Sequence, residues 1–262
     1  ATCGEEVLAT GFAGGNNGRL LRELLDADGV SHDFVEVACE TRCCINVLEP
    51  DGRSTEFLEP GRAVSGSEVA AVRAKVAEVA ADVVTFDGSA PTGAGDDIYR
   101  ELVAIVREGG KPCILDTSGK LLVGSLAARP TMIKPNTDEI EAILGRKPES
   151  IDEIVAAARE VHEAHGIEKV VVSLGGDGSV MACDEGVFRG RAPRIEVVNP
   201  VGSGDTMVGA FAVAMARGLS SADQLAFAMS CATANCLTPS TGHFDMACAE
   251  ELRAQTTVER VA

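Results

Sequence analysis

From residue 69 onward the chain alternates between short β-branched runs and stretches in which apolar positions recur at helical spacing. Residues 82–86, 114–116 and 170–174 read as strands, and 96–107 reads as a helix. This alternation predicts a parallel sheet covered by helices. Two helix starts are marked by capping boxes. Ser65 with Glu68 precedes Val69, Val72, Val76 and Val79, and Ser150 with Glu153 precedes a helix that reaches Ala164.

A different texture fills residues 31–61. Here 33–37, 43–48 and 54–58 read as strands, with Glu49-Pro50-Asp51-Gly52 as the turn between the last two. The pattern predicts a small antiparallel insert, too thin to bury both of its faces alone. It is expected to lie over a cleft, to meet a partner subunit in a homodimer, or both. The expected organisation is 1–30 as the start of an α/β core, 31–61 as a β lid, and 62–262 as the rest of the core. No internal repeat interrupts it.

Composition narrows the function classes. A chain of 262 residues with 45% apolar and 24% charged side chains can bury a large core, as one big domain or two small ones. Its 23 basic residues against 40 acidic ones leave a net charge of −17, which repels nucleic acid and anionic lipid. One Tyr and no Trp leave few surfaces for stacking bases. Small-molecule ligands are therefore expected, with neither nucleic acid nor membrane as a partner. Nine Cys without a CxxC pair speak against a disulfide framework or structural zinc and for a reducing, cytoplasmic compartment. The longest uncharged stretch, 224–244, is too rich in Ser, Thr, Asn, Pro and Gly to span hydrocarbon and reads as a buried helix with its exit loop.

Chemistry concentrates in three segments. In the first, VVNPVGSGD at 197–205, a strand and a glycine loop lead into an apolar helix, 206–217, that Gly218 ends. Glycines let backbone N–H groups converge on an anion, and a helix N-terminus adds partial positive charge at the same point. An acid at 205 would repel a phosphate that was merely bound. It makes sense if Asp205 takes the proton of a hydroxyl while the loop holds a transferring phosphoryl group. An ordinary glycine-rich turn, with Asp in a favourable first helical turn, fits these residues equally well. The similar GAGD at 93–96 is followed by a second acid, Asp97, and reads as a helix cap. No GxxxxGK[ST] is present, and Met207 stands where GxGxxG needs its third glycine, so Walker-type and standard dinucleotide folds lose support.

The second segment, MIKPNTDE at 132–139, is a short strand entering a helix. Asn136 and Glu139 share one face of its first turn, where they can cap the helix or hold the water shell of Mg²⁺. The third, VVVSLGGDGS at 170–179, turns tightly into a strand at 180–183, and its glycines also let a base or phosphate approach the backbone. His162 and His165 lie among Glu160 and Glu163 on what reads as a solvated face, and Cys43 and Cys44 fill strand positions.

Together NPVGSGD at 199–205, IKPNTDE at 133–139, VVVSLGGDG at 170–178, the pair Thr41-Arg42 and TEFLEPG at 55–61 resemble the ribokinase-like (PfkB) carbohydrate kinases, over essentially the whole chain. The likeness is greatest to the branch of 1-phosphofructokinase and tagatose-6-phosphate kinase. It implies an α/β fold, a ribokinase-like three-layer sandwich with a mostly parallel central sheet and a small antiparallel β lid. It also implies an ATP-dependent kinase, using Mg²⁺, for a ketohexose phosphate such as fructose 1-phosphate or tagatose 6-phosphate. Within that resemblance Asp205 is the general base, and Gly202, Ser203 and Gly204 form the anion hole. Lys134, Asn136, Ser173, Gly175 and Gly178 contact the nucleotide, Asn136 and Glu139 organise Mg²⁺ through water, and the helix 226–237 walls the adenine pocket. Arg42 on the lid grips the substrate's phosphate, and Ser89 belongs to a sugar-side SGS segment.

Two departures are visible. Ser203 replaces the Ala of the usual GAGD, and Asp87 stands where the SGS segment begins with Ser, adding a negative charge on the sugar side. Family members also open with a strand, a lid strand and a GGKGxN segment that nothing before Val7 supplies, so an N-terminally shortened chain is expected. Other readings are a non-catalytic nucleotide-binding fragment of this fold, or a kinase for a nucleoside or unphosphorylated sugar. Arg42 weighs against the last, because a neutral substrate needs no lid cation.

Overall fold

The computed structural model describes residues 1–49 and 53–262, so Pro50, Asp51 and Gly52 of the expected lid turn lie outside the described residues. Beyond its first residues the chain falls into two compact units. One comprises Cys3–Glu78 with Ala90–Gly95, the other Val79–Ser89 with Asp96–Ala262.

The larger unit is built on a seven-stranded sheet. Its strands are β7 (Val84–Asp87), β8 (Cys113–Asp116), β9 (Met132–Ile133), β10 (Lys169–Ser173), β11 (Ser179–Cys183), β12 (Gly186–Arg191) and β13 (Thr257–Arg260). They lie side by side in the order β13-β12-β11-β10-β9-β8-β7. The four from β7 to β10 run parallel, and β11, β12 and β13 extend the sheet antiparallel. The helices are α3 (Ile98–Glu108), α4 (Gly119–Ser125), α5 (Thr137–Leu144), α6 (Ile151–His165), α7 (Ser203–Ala216), α8 (Ser221–Asn235) and α9 (Met246–Gln255). They cover both faces of the sheet: along β12, Val187 shares a groove with α6, while Gly190, of opposite parity, abuts Met229 of α8. A sheet covered twice needs strands apolar on both sides. Met132, Ile133, Val170, Val171 and Val172 are accordingly fully buried. On α6 the buried positions Ile154, Ala157, Ala158 and Val161 recur at helical spacing.

The smaller unit contains β1 (Leu8–Ala9), β2 (Phe12–Ala13), α1 (Gly15–Ala27), β3 (Ser31–His32), β4 (Val35–Glu36), β5 (Cys44–Leu48), β6 (Ser54–Leu58) and α2 (Gly66–Glu78). Of the strand expected at 33–37 only Val35–Glu36 forms, as β4, and it leaves the lid. β3 pairs parallel with β1, and β4 parallel with β2, whereas the antiparallel lid is β5 and β6 alone. A run of alternating residues fixes which side chains share a face but not which strand it joins. Both capping serines act as expected, with Ser65 Oγ accepting from Glu68 N and Ser150 Oγ from Glu153 N. The GAGD at 93–96 does not cap α3. Asp97 occupies the N-cap position without a side-chain cap and is paired with Arg100 at 3.0 Å. Gly93 instead adopts φ +90° and lies where a Cβ would fall 2.3 Å from the Val64 carbonyl. No disulfide is formed among the described residues.

Candidate active site

The candidate site occupies the C-terminal ends of the parallel strands of the larger unit. In the β7–β8 register Asp87 stands directly beside Asp116. The chain leaving β9 places Lys134 next to Asp116, with Nζ 3.0 Å from Oδ2 in a buried ion pair. The same ammonium faces the start of α7, where a Cβ added to Gly204 would stand 3.4 Å from Nζ. Gly202 is the N-cap, at φ +78°, and Asp205 lies exposed in the first turn. A lysine and the first-turn N–H groups of a fourteen-residue helix therefore converge on one point, with Ser203 N also donating to the Pro200 carbonyl at 3.3 Å. That donor set fits a phosphoryl group, and Asp205 adds a carboxylate at its rim.

The loop that carries the glycines is fixed from behind. Asn235, fully buried on α8, donates to the Val201 carbonyl at 3.0 Å and accepts from Gly242 N at 2.7 Å. Asn199 accepts from Val201 N at 3.0 Å and donates to the Pro239 carbonyl at 3.1 Å. Gly202 packs so tightly that a Cβ there would fall 2.3 Å from Thr241 Cγ2.

Asn136 and Glu139 form a complete capping box. Asn136 Oδ1 accepts from the N–H groups of Asp138 and Glu139, and Glu139 Oε2 accepts from Asn136 N, all at 2.9 Å. The capping reading is thus realised. Ser173 N donates to the Pro135 carbonyl at 3.0 Å and Ser173 bridges Asn136, so the second and third segments adjoin. The third continues as a 3₁₀ turn, Gly175–Asp177, with Gly175 at φ +56° and Gly178 at φ +89°.

Charge is crowded here. The Asp87 carboxyl is pushed up to about 6, first because surrounding protein strips its hydration although one side stays open, and further by Asp116 and Asp205. Thr85 Oγ1, which donates to Asp87 Oδ2 at 2.6 Å, and Lys134 pull it back. Burial raises Asp116, against the stabilising pull of Lys134, and burial also raises Glu139. Among the described residues no group of three or more His, Cys, Asp or Glu could hold a metal ion.

Of the residues singled out by sequence, Gly202, Ser203, Gly204, Asp205, Lys134, Asn136, Glu139, Ser173, Gly175 and Gly178 belong to the larger unit, and Ser89 follows β7 there. Arg42 belongs to the smaller unit, where Nη1 donates to the Glu59 carbonyl at 3.3 Å. Asp116 and Asn235 had no signal strong enough to be singled out.

Over residues 1–247 the chain matches the model of the pfkB family carbohydrate kinases. Phosphofructokinase-2 from Escherichia coli, solved in complex with fructose-6-phosphate, is 27% identical, with a TM-score of 0.89 over 97% of this chain and 83% of its own. Its tetrameric inhibited form is 28% identical, with a TM-score of 0.89 over 97% and 83%. The possible 1-phosphofructokinase of Thermotoga maritima is 26% identical, with a TM-score of 0.88 over 100% and 84%.

Proposed function

Since the chain belongs to the pfkB family of carbohydrate kinases, and is an ATP-dependent sugar kinase, we propose that its acceptor is a ketohexose phosphate. Fructose 1-phosphate and tagatose 6-phosphate are the acceptors named. Asp205 takes the proton of the acceptor hydroxyl while that oxygen bonds to the γ-phosphorus of ATP and ADP departs. The backbone N–H groups of 202–204 and the Lys134 ammonium offset the charge on the transferring group. Asp116 keeps that ammonium in place. Magnesium would arrive on the nucleotide's phosphates, with Asn136 and Glu139 steering its waters.

The observation that carries this reading is the convergence of Lys134, the glycine N-cap and Asp205 at the first turn of α7. Phosphofructokinase neighbours support a phosphorylated acceptor over a nucleoside. No helix among the described residues is long and apolar enough to cross a membrane.

The test is phosphoryl transfer from labelled ATP to fructose 1-phosphate, tagatose 6-phosphate, fructose 6-phosphate, fructose and adenosine. Transfer to a neutral sugar or nucleoside but to no ketohexose phosphate would overturn the proposed acceptor. Asp205→Asn keeps the shape and removes the base, so kcat is expected to fall about 10² to 10⁴-fold while ATP affinity holds or rises slightly. A kcat within threefold of the parent would remove Asp205 from the mechanism.

A further inference from the structure

Arg189 on β12 is a buried charge that neither the reaction described above nor the fold accounts for. It is 5% exposed, and its Nη2 donates to the Asp177 carbonyl at 2.5 Å. Its Nε and Nη1, both inaccessible, have no hydrogen-bond partner among the described residues. The carboxylate opposite it in the β12–β13 register, Glu259, is held by Arg191 at 2.5 Å. Burial and the neighbouring Arg191 both work against the guanidinium's charge. A buried cation with orphaned donors lowers stability, and an apolar side chain of similar volume would avoid that penalty. Its recorded hydrogen bond goes to the turn after β10.

That turn is seated with little freedom. Leu174 N donates to the Gly178 carbonyl at 2.9 Å. A Cβ on Gly178 would fall 2.1 Å from the Gly190 carbonyl, and one on Gly190 would fall 2.2 Å from Met229 Sδ. Turn and strand thus meet backbone to backbone, and the Met229 side chain fills the space between strand and helix. Gly190 sets the height of the turn, and its neighbour Arg189 fixes the Asp177 peptide.

We propose that Arg189 is a positioning residue for ATP, holding the 174–178 turn through the Asp177 carbonyl in the shape that receives the nucleotide. This rests on the reading of that turn as nucleotide-binding, and the test separates the two. Hydrogen exchange on the parent enzyme, with and without MgATP, comes first. Unprotected amides at 174–178 would refute the turn as a nucleotide site, and the proposal with it.

Where MgATP protects the turn, Arg189→Met is compared with the parent by calorimetric titration of ATP and by acceptor KM. The expected result is an ATP Kd raised about tenfold, acceptor KM within twofold, and faster exchange at 176–178. Arg189→Lys, able to reach the carbonyl with one donor, is expected to recover part of the ATP affinity. A folded Arg189→Met with parental ATP Kd, or with equal losses for ATP and acceptor, overturns the proposal. If Met does not fold, the neutral Arg189→Gln is held to the same outcomes.

Discussion

Asp87 and Asp116 stand side by side at the ends of neighbouring strands, and Lys134 is engaged with Asp116. Stripped of hydration by the surrounding protein, and further opposed by the like charges of Asp116 and Asp205, Asp87 ionises late in the folded protein, with its carboxyl raised to about 6. The sign follows from linkage. Below the ordinary carboxylate range, about 3.9, the folded and unfolded forms both hold the proton and Asp87 costs nothing. Between there and 6 the unfolded chain releases it first, so stability is lost as pH rises. Asp87→Asn should match the parent's melting temperature near pH 4 and exceed it at pH 7, as measured by scanning calorimetry at both. A gap that does not change with pH would show that the crowding is not felt. Arg42→Ala should raise the acceptor KM about tenfold or more, the value of a charge-assisted contact, while leaving the ATP KM in place. Equal effects on both would assign Arg42 to holding Glu59 instead. Asp205 and its glycines were legible because strand, glycine loop, acid and helix follow in sequence. Asp116 was not, since a single acid at a strand end has meaning only once the sheet sets it beside Asp87 and Lys134.

Among the elements, α7 and α8 form the rear support of the site, and Asn235, like Asn199, ties the loop before α7 to the loop after α8. Asn235→Ala leaves the Val201 carbonyl and Gly242 N–H without their partner. Each orphaned group costs about 1 to 3 kcal/mol, so urea unfolding should report a loss of at least that size. Phosphoryl transfer should fall further than stability alone explains, because the glycine loop before α7 loosens. Loss of less than 0.5 kcal/mol, on the order of a neutral surface change, would show that the loops hold without it. The core elements were legible to different degrees. β10 and α6 follow from three consecutive valines and a capping serine, signals complete within a few residues. β3 and β4 do not, because their parallel partners, β1 and β2, are two-residue strands with too little pattern to be seen.

At the scale of the molecule, the lid sets its own requirement. Ile45 and Phe57 are cross-strand partners and share one face of β5 and β6 with Val47, and these three are 55%, 60% and 44% exposed. We expect a homodimer that covers this face, since clustered apolar side chains on a two-stranded sheet are not left in water without consequence. Sedimentation at micromolar concentration should give a dimer, and Phe57→Glu a monomer. A monomeric parent would end that expectation. A separate consequence lies in how the chain is threaded. Ala90–Gly95 belongs to the smaller unit although it is spliced between β7 and α3 of the larger. Val64 N donates to the Thr92 carbonyl at 2.8 Å, and Gly93 fits against the Val64 carbonyl. The backbone therefore passes between units after Glu78, Ser89 and Gly95, so that a protease nick at any one crossing leaves two covalent straps intact. Nor can the larger unit be released by trimming the chain from its front: what remained would carry a six-residue splint shaped to a Val64 that had been cut away.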